Sequence, residues 1–69
     1  MMIYIVRTDY LKHDIFGCYR SLDGARNAIT KFIKATNNLK LVENYDYAYF
    51  VANGSRRYYF EILCDVLED

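Results

Sequence analysis

Residues 45–61, YDYAYFVANGSRRYYFE, hold five of the chain's eight tyrosines in two apolar runs around an Asn-Gly pair. Tyrosine, phenylalanine and valine favour β-strands, and Asn53-Gly54 between two such runs is a strong indication of a tight hairpin. We therefore predict two antiparallel strands, over residues 45–52 and 56–67. Which of their tyrosines are buried then depends on how the two strands pair.

The other strands predicted from the sequence lie on both sides of one helix. Residues 2–8 and 15–20 are rich in β-branched and aromatic side chains, and a polar loop joins them into a second hairpin. Gly17 inside the second run indicates a bulge or a close backbone approach. Residues 39–43 form a third strand or an extended approach to the hairpin at 45–61.

The helix is predicted between two polar boundaries. Ser21 is a good N-cap, and Asp23 in the first turn is favoured by the helix dipole. Asn37 and Asn38 end the helix, because asparagine tolerates the left-handed conformation found at helix C-termini. Between these boundaries apolar residues recur at helical spacing, at Leu22, Ala25, Ala28, Ile29, Phe32 and Ile33.

These elements predict a single α+β domain over residues 1–69. The order is β-β-α-β-β, with a mostly antiparallel sheet of four or five strands and one helix packed on one face. A single helix cannot cover both faces of such a sheet. The second face therefore meets water or another chain.

Two registers of the hairpin bury different residues, because a one-residue slip exchanges the faces of a strand. A two-residue turn at Asn53-Gly54 puts the odd-numbered tyrosines of the first strand under the helix, beside Phe60. A three-residue loop puts Ala48 there and leaves those tyrosines on the uncovered face. We favour the three-residue loop, because small alanines suit the space beneath a helix and buried tyrosine hydroxyls need partners.

In that register the uncovered face carries an aromatic and basic set, Tyr45, Tyr47, Tyr49, Arg57 and Tyr59. Tyrosine and arginine are the residues most enriched in binding hot spots, and exposed aromatic patches often mark interaction sites. The alternative is an ordinary sheet surface, since tyrosine has high β-propensity and tolerates half exposure. We predict that this set binds a partner.

A second basic surface is predicted on the outer side of the helix, at Arg26, Lys31 and Lys34. It is either an ordinary solvated helix face or a salt-sensitive contact with an acidic partner. Nine basic residues balance nine acidic ones over the chain, which argues against a protein that binds nucleic acid through the phosphate backbone alone. Arg56 and Arg57 beside stacked tyrosines would suit single-stranded nucleic acid, and this is the second choice.

The sequence offers little for catalysis. His13 lies in a polar loop beside Asp14, but no nucleophile can be paired with it. Three scattered glycines form no phosphate-binding loop, and Cys18, Cys64 and His13 are too few for a structural zinc site. We expect no enzyme activity, cofactor or metal.

Cys18 and Cys64 fall in apolar runs and are expected to be buried, reduced thiols of a cytoplasmic protein. No apolar run is long enough to span a membrane, and the first residues lack the features of a signal peptide. We therefore expect no membrane contact.

The segments MIYIVRTDY and IFGCYRSLDGARNAITKFIK, residues 2–10 and 15–34, resemble a pattern in small phage and mobile-element accessory proteins. The shared pattern is a strand, a loop, a strand and a helix that begins at a Ser-x-Asp cap. The resemblance implies a non-enzymatic protein that binds a host protein in the host cytoplasm, including inhibitors of bacterial defence such as anti-CRISPRs. We accordingly expect a protein-binding module, with a host or target protein as partner, that also forms a homodimer.

Overall fold

The computed structural model describes residues 1–66 of the chain, and these contain five β-strands and one α-helix. The order is β-β-α-β-β-β, and the predicted α+β class is confirmed. The predicted strand over 56–67 extends to Val66, and residue 67 lies outside the described part of the chain. The elements are β1 Met2–Thr8, β2 Ile15–Tyr19, α1 Leu22–Ala35, β3 Lys40–Asn44, β4 Ala48–Asn53 and β5 Arg56–Val66.

The five strands form one antiparallel sheet in the order β2-β1-β5-β4-β3. The longest strand, β5, lies at the centre between β1 and β4. Pairing of β1 with β5 joins the two ends of the described chain and makes the two hairpins one sheet. The edges are then the two short strands β2 and β3.

Helix α1 begins and ends where the sequence predicts. The Ser21 hydroxyl accepts a hydrogen bond from the Gly24 amide at 2.9 Å, and Asp23 lies in the first turn. The last helical residue is Ala35, and Asn38 follows in the left-handed conformation with φ of 68°. In the described residues this is the one helix, and it is neither long nor apolar enough to cross a membrane.

The core lies between α1 and one face of the sheet. Phe60 is fully buried, and the half-buried Phe16 and Phe32 pack against it. The Phe16 ring meets the Phe32 and Phe60 rings edge to edge, with ring centres 5.1 and 5.6 Å apart. Such contacts add stability beyond the burial of apolar area. The buried hydrophobic residues are Val6, Ala25, Ile29, Ile33, Leu39, Tyr49, Val51, Phe60 and Ile62.

Gly17 lies at a bulge, as predicted from its place within a strand. The register of β1 with β2 shifts between Val6, which faces Gly17, and Arg7, which faces Ile15, so Phe16 is the extra residue. A Cβ atom on Gly17 would lie 2.7 Å from the Tyr19 hydroxyl oxygen, so a side chain there would require the Tyr19 ring to move.

The central hairpin has neither of the predicted registers. Asn53 pairs with Arg56, and Gly54 and Ser55 form a two-residue turn. Gly54 has φ of 63°, and a positive φ at the first central position alone is the pattern of a type II′ turn. Tyr49 therefore faces Phe60 on the helix side, and the favoured three-residue loop is wrong.

The hairpin tolerates a buried tyrosine because Tyr49 does not leave its hydroxyl without a partner in an apolar core. In residues 1–66 no buried side-chain nitrogen or oxygen lacks a hydrogen bond. The expected alanines, Ala48 and Ala52, lie on the opposite face, where they face Glu61 and Arg57. Strand β4 also begins three residues later than predicted, since the Tyr45 amide donates to the Ala48 carbonyl at 2.7 Å and closes a connection there.

The prediction that both cysteines are buried is wrong, although both thiols are free. A 14-residue helix is about 21 Å long, whereas an 11-residue strand is about 36 Å long, so β5 extends past α1. Cys64 is on the helix side of this extension and is exposed. Cys18 faces Ile5 on the opposite side of the sheet and is also exposed.

Candidate functional site

The face of the sheet away from α1 is uncovered within residues 1–66, and we call it the open face. On its three central strands the open face consists of every second residue. These are the odd-numbered residues of β1 from Ile3, the odd-numbered residues of β5 from Arg57 and the even-numbered residues of β4 from Ala48. Phe50 and Leu63 on this face are each 41% exposed, and Tyr59 is 36% exposed. Large apolar and aromatic side chains are thus exposed at two places on the three central strands, one on each side of the Arg7–Glu61 pair.

Three of the predicted binding residues lie on or beside the open face. Arg57 and Tyr59 project from β5. The Tyr45 ring meets the Phe50 ring edge to edge, with centres 6.0 Å apart, and its hydroxyl donates to the Glu43 carboxylate at 3.0 Å. This hydrogen bond and the negative charge of Glu43 raise the pKa of Tyr45 above its usual range.

The other two predicted residues, Tyr47 and Tyr49, are on the helix side. Tyr49 is 3% exposed and belongs to the core. The Ile62 amide donates to the Tyr47 carbonyl at 2.8 Å, which extends the β4–β5 register by one pair and puts Tyr47 on the same side as Tyr49. The prediction that these two tyrosines share the binding face with Arg57 is therefore corrected.

Sequence reasoning missed Phe50 as a member of the face and did not include Leu63 in the predicted binding set. Phe50 faces Tyr59, so two aromatic side chains lie side by side near the hairpin. Ile5 faces Leu63 nearer the other end of β5. The open face thus has an aromatic half and an aliphatic half. The signal that could have revealed Phe50 is Gly54, which favours a type II′ turn when it is the first residue of the turn.

Charged groups on the open face are sorted along the strands. Arg57 and Lys40 both flank Ala52 at the hairpin end. Arg7 lies 4.0 Å from the Glu61 carboxylate near the middle. Asp65 lies near the far end of β5. The face therefore has two basic residues at the hairpin end, Glu43 beside Phe50, a neutral pair in the middle and Asp65 at the far end.

Arg26, one of the three residues of the predicted basic surface on α1, contacts another part of the same chain. Arg26 donates to the carbonyl oxygens of Tyr45 and Asp46, at 3.3 and 3.1 Å, and lies 3.4 Å from the Asp46 carboxylate. Its guanidinium carbon is 5.5 Å from the centre of the Tyr49 ring. Arg26 thus fastens the helix to the connection before β4, and Lys31 and Lys34 remain as exposed cations.

Arg56 and Arg57 do not form a joint basic site. Neighbouring residues of a strand point to opposite faces. Arg57 is on the open face, whereas Arg56 faces Asn53 on the helix side. A nucleic acid stacked on the tyrosines of the open face would meet one of these two arginines.

A smaller cluster of polar groups lies on the helix side where β5 extends past α1. Tyr4 faces Cys64 across β1 and β5. Burial raises the pKa of Tyr4, and the neighbouring Cys64 and Tyr47 raise it further. These groups favour a neutral phenol, which is a hydrogen-bond donor rather than a base.

Groups with catalytic chemistry are dispersed. His13 is exposed in the loop between β1 and β2, where Asp14 lies 3.8 Å from Arg7. A depression of about 370 Å³ is lined by Asn38, Lys40, Ala52, Asn53 and Gly54. In the described part of the chain, no three His, Cys, Asp or Glu side chains are grouped so that they could hold a metal ion.

No protein-family model, curated protein or solved structure matches the chain. The likeness to phage and mobile-element accessory proteins therefore stays a prediction. The geometry of the open face is what supports a functional proposal.

Proposed function

We propose that this chain is a non-catalytic protein-binding module and that the open face is its docking surface. One observation carries the proposal: a single helix covers one side of a five-stranded sheet, and the other side carries Phe50, Tyr59 and Leu63, each more than one third exposed. Several large apolar and aromatic side chains exposed on one face are typical of interaction sites. Aromatic anchors with an arginine at their edge have the composition of a binding hot spot.

The charge of the open face favours a protein partner over a nucleic acid. Arg57 and Lys40 at one end are offset by Glu43 beside Phe50 and by Asp65 at the other end, and Arg7 is already beside Glu61 at 4.0 Å. Nucleic-acid binding draws much of its free energy from a basic surface that contacts phosphates. A face with balanced charge and exposed aromatic side chains suits a protein surface better.

A narrower form of the proposal follows from the resemblance to phage accessory proteins. In this form the chain is an inhibitor of a host or defence protein in the bacterial cytoplasm. Inhibition by a module of this kind requires only that the open face occupy a surface that the target needs. No catalytic group is required for it.

The test is capture of the tagged chain's partners from nuclease-treated bacterial lysate, with variants on the two sides of the hairpin. Phe50→Ser and Tyr59→Ser each remove an exposed aromatic ring from the open face, and we expect each to reduce capture at least about tenfold, as hot-spot truncations do. Tyr47→Ser is the matched control, since Tyr47 is an equally exposed aromatic on the helix side. It should leave capture unchanged.

Two results would contradict the proposal. Full capture by Phe50→Ser and Tyr59→Ser, with far-UV spectra like that of the wild type, would show that the docking surface lies elsewhere. Capture that disappears with nuclease and weakens linearly with the logarithm of salt concentration would identify a nucleic acid as the ligand.

A further inference from the structure

The charged residues on the open face of β5 are arranged so that two antiparallel copies of the strand would place opposite charges against each other. The residues on this face are, in order, Arg57, Tyr59, Glu61, Leu63 and Asp65. Arg57 and Asp65 are each four residues from Glu61, about 13 Å along the strand. A second β5 laid antiparallel over the first and centred on Glu61 would put Arg57 of each copy against Asp65 of the other.

Both of these charged groups are available for such a contact. Arg57 and Asp65 are exposed, and neither takes part in an ion pair within residues 1–66. The Asp65 carboxylate accepts one hydrogen bond, from the Val66 amide at 2.8 Å, which leaves further acceptor positions for a guanidinium. An arginine and a carboxylate are also the pair with the best geometry for bidentate contact.

The apolar groups of the open face complement one another about the same centre. Tyr59 with its neighbour Phe50 forms the aromatic half, and Leu63 with its neighbour Ile5 forms the aliphatic half. Tyr59 and Leu63 are each two residues from Glu61. The antiparallel arrangement therefore lays Tyr59 of one copy over Leu63 of the other, whereas Phe50 on β4 and Ile5 on β1 flank this contact on opposite sides of β5.

We propose that the occupant of the open face is a second copy of this chain, packed face to face about a two-fold axis that passes across β5 at Glu61. This inference rests on the proposed function, because it names the partner of the same docking surface. A two-fold interface uses the same patch on both copies, and a patch with unlike ends satisfies that requirement. Sheets packed face to face keep their strands nearly aligned, as this arrangement does.

The charges at the centre of the interface cancel within each copy. Glu61 lies on the axis, and Arg7 is 4.0 Å from its carboxylate. The two Arg7–Glu61 pairs meet there with no net charge, and each arginine has donors left for the carboxylate of the other copy. The whole chain has equal numbers of acidic and basic residues, so two copies do not repel each other at a distance.

The contact between the two copies is smaller than the open face. β1 pairs with residues 60–66 of β5 and β4 with residues 56–61, so a two-fold axis at Glu61 superposes mainly the two β5 strands. A contact of this size is below the roughly 800 Å² that each partner buries in a typical specific complex, and we therefore expect a weak dimer.

The test is sedimentation equilibrium of the purified chain over a dilution series, with two charge reversals. The wild type should show a monomer–dimer equilibrium. Arg57→Asp and Asp65→Arg should each weaken the dimer about tenfold, because each change creates two like-charge contacts in a two-fold dimer. Lys34→Asp, on the exposed side of α1, makes the same change in net charge as Arg57→Asp and should have no effect.

Mixing the two weakened variants gives the decisive result. In a dimer of one Arg57→Asp chain and one Asp65→Arg chain, both end contacts again join opposite charges. An equimolar mixture should therefore dimerise about as tightly as the wild type, although each variant alone does not. A wild type that stays monomeric, reversals without effect, or a mixture that stays as weak as its components would overturn the inference.

Failure of the dimer and failure of the docking face give different results. A monomeric chain that still captures another protein, and needs Phe50 and Tyr59 to do so, would overturn the dimer and leave the proposed function intact. A chain that is monomeric and whose capture is unaffected by Phe50→Ser and Tyr59→Ser would remove both.

Discussion

Thr8 is a polar side chain in the core, 1% exposed, and it holds a residue of the open face in place. Its hydroxyl donates to the Tyr59 carbonyl at 2.7 Å and accepts from the Tyr10 amide at 3.1 Å. The Asp9 carboxylate accepts from the Tyr59 amide at 2.9 Å. Side chains at the end of β1 thus satisfy both backbone groups of Tyr59, and they fix the direction of its ring.

Replacement of Thr8 by valine should therefore lower the free energy of unfolding, although the two side chains have nearly the same shape. Thr8→Val leaves the Tyr59 carbonyl and the Tyr10 amide without partners in a buried site. We expect the free energy of unfolding to fall by about 1–3 kcal/mol, measured by urea denaturation. Thr30→Val is the control, because the Thr30 hydroxyl donates to a carbonyl in its own helix, at Arg26, and its loss should cost much less. Equal costs for the two variants would contradict this account of Thr8.

The Tyr45–Glu43 contact should be visible in the pH dependence of the protein. A carboxylate that accepts the phenol's hydrogen bond raises the pKa of Tyr45, so folding favours its protonated form. The stability that this contact provides is present below the ordinary tyrosine pKa of about 10 and is lost as the pH rises through the higher pKa of the folded state.

Glu43→Gln should bring the pKa of Tyr45 back toward its usual value, because it removes the charge and weakens the acceptor. The measurement is a pH titration of the Tyr45 ring signals by NMR. Glu61→Gln is the control, since Glu61 lies beside Arg7 instead. A Tyr45 titration that is unchanged by Glu43→Gln would show that the hydrogen bond is not formed in solution.

The turn between β4 and β5 determines which side chains reach the open face. Gly54 has φ of 63°, a conformation that costs a residue with a side chain about 1–2 kcal/mol. Gly54→Ala should lower the free energy of unfolding by about that amount, since a Cβ atom there meets no neighbouring atom and the backbone alone opposes it. Ser55→Ala, at the other turn position, should be nearly neutral. A neutral Gly54→Ala would mean that the hairpin has another turn and another register.

The register of this hairpin is the part of the fold that the sequence did not predict. Helix α1 could be predicted because its apolar spacing, the Ser21 cap and the left-handed Asn38 all indicate the same element. The register could not, because Asn53-Gly54 suits either a two-residue turn or a three-residue loop, and these differ by the one residue that exchanges Tyr49 and Phe50 between the faces. A two-residue turn at Gly54-Ser55 keeps the same faces as one at Asn53-Gly54. The need of a buried tyrosine hydroxyl for a partner favoured the wrong loop.

The exposure of the two cysteines could not be predicted from the sequence, because it depends on the lengths and positions of whole elements. Their apolar surroundings predict burial, and that holds only where a helix lies over the strand. The length of β5 relative to α1 leaves Cys64 uncovered, and Cys18 is on the face that no described element covers. The predicted α+β fold is correct, but the exposure of a given side chain depends on element lengths that sequence patterns define poorly.

In the whole molecule, the uncovered face follows from the ratio of helix to sheet. Residues 1–66 contain five strands and one helix of 14 residues, which is enough to cover one side of the sheet. Small domains bury a limited share of their surface and often gain stability by association. The open face thus links the fold to the proposed function, since the surface left uncovered within the chain is the one available to a partner.

The most direct test uses the two thiols as reporters for the two sides of the sheet. Cys18 lies on the open face, in a row with Ile5 and Leu63, and Cys64 lies on the helix side. We would measure the rate at which iodoacetamide alkylates each thiol by mass spectrometry, in dilute protein and in concentrated, associated protein. If the open face is the docking surface, association slows alkylation of Cys18 and leaves that of Cys64 unchanged. Protection of Cys64 alone, or a Cys18 alkylation rate that association leaves unchanged, would contradict the account.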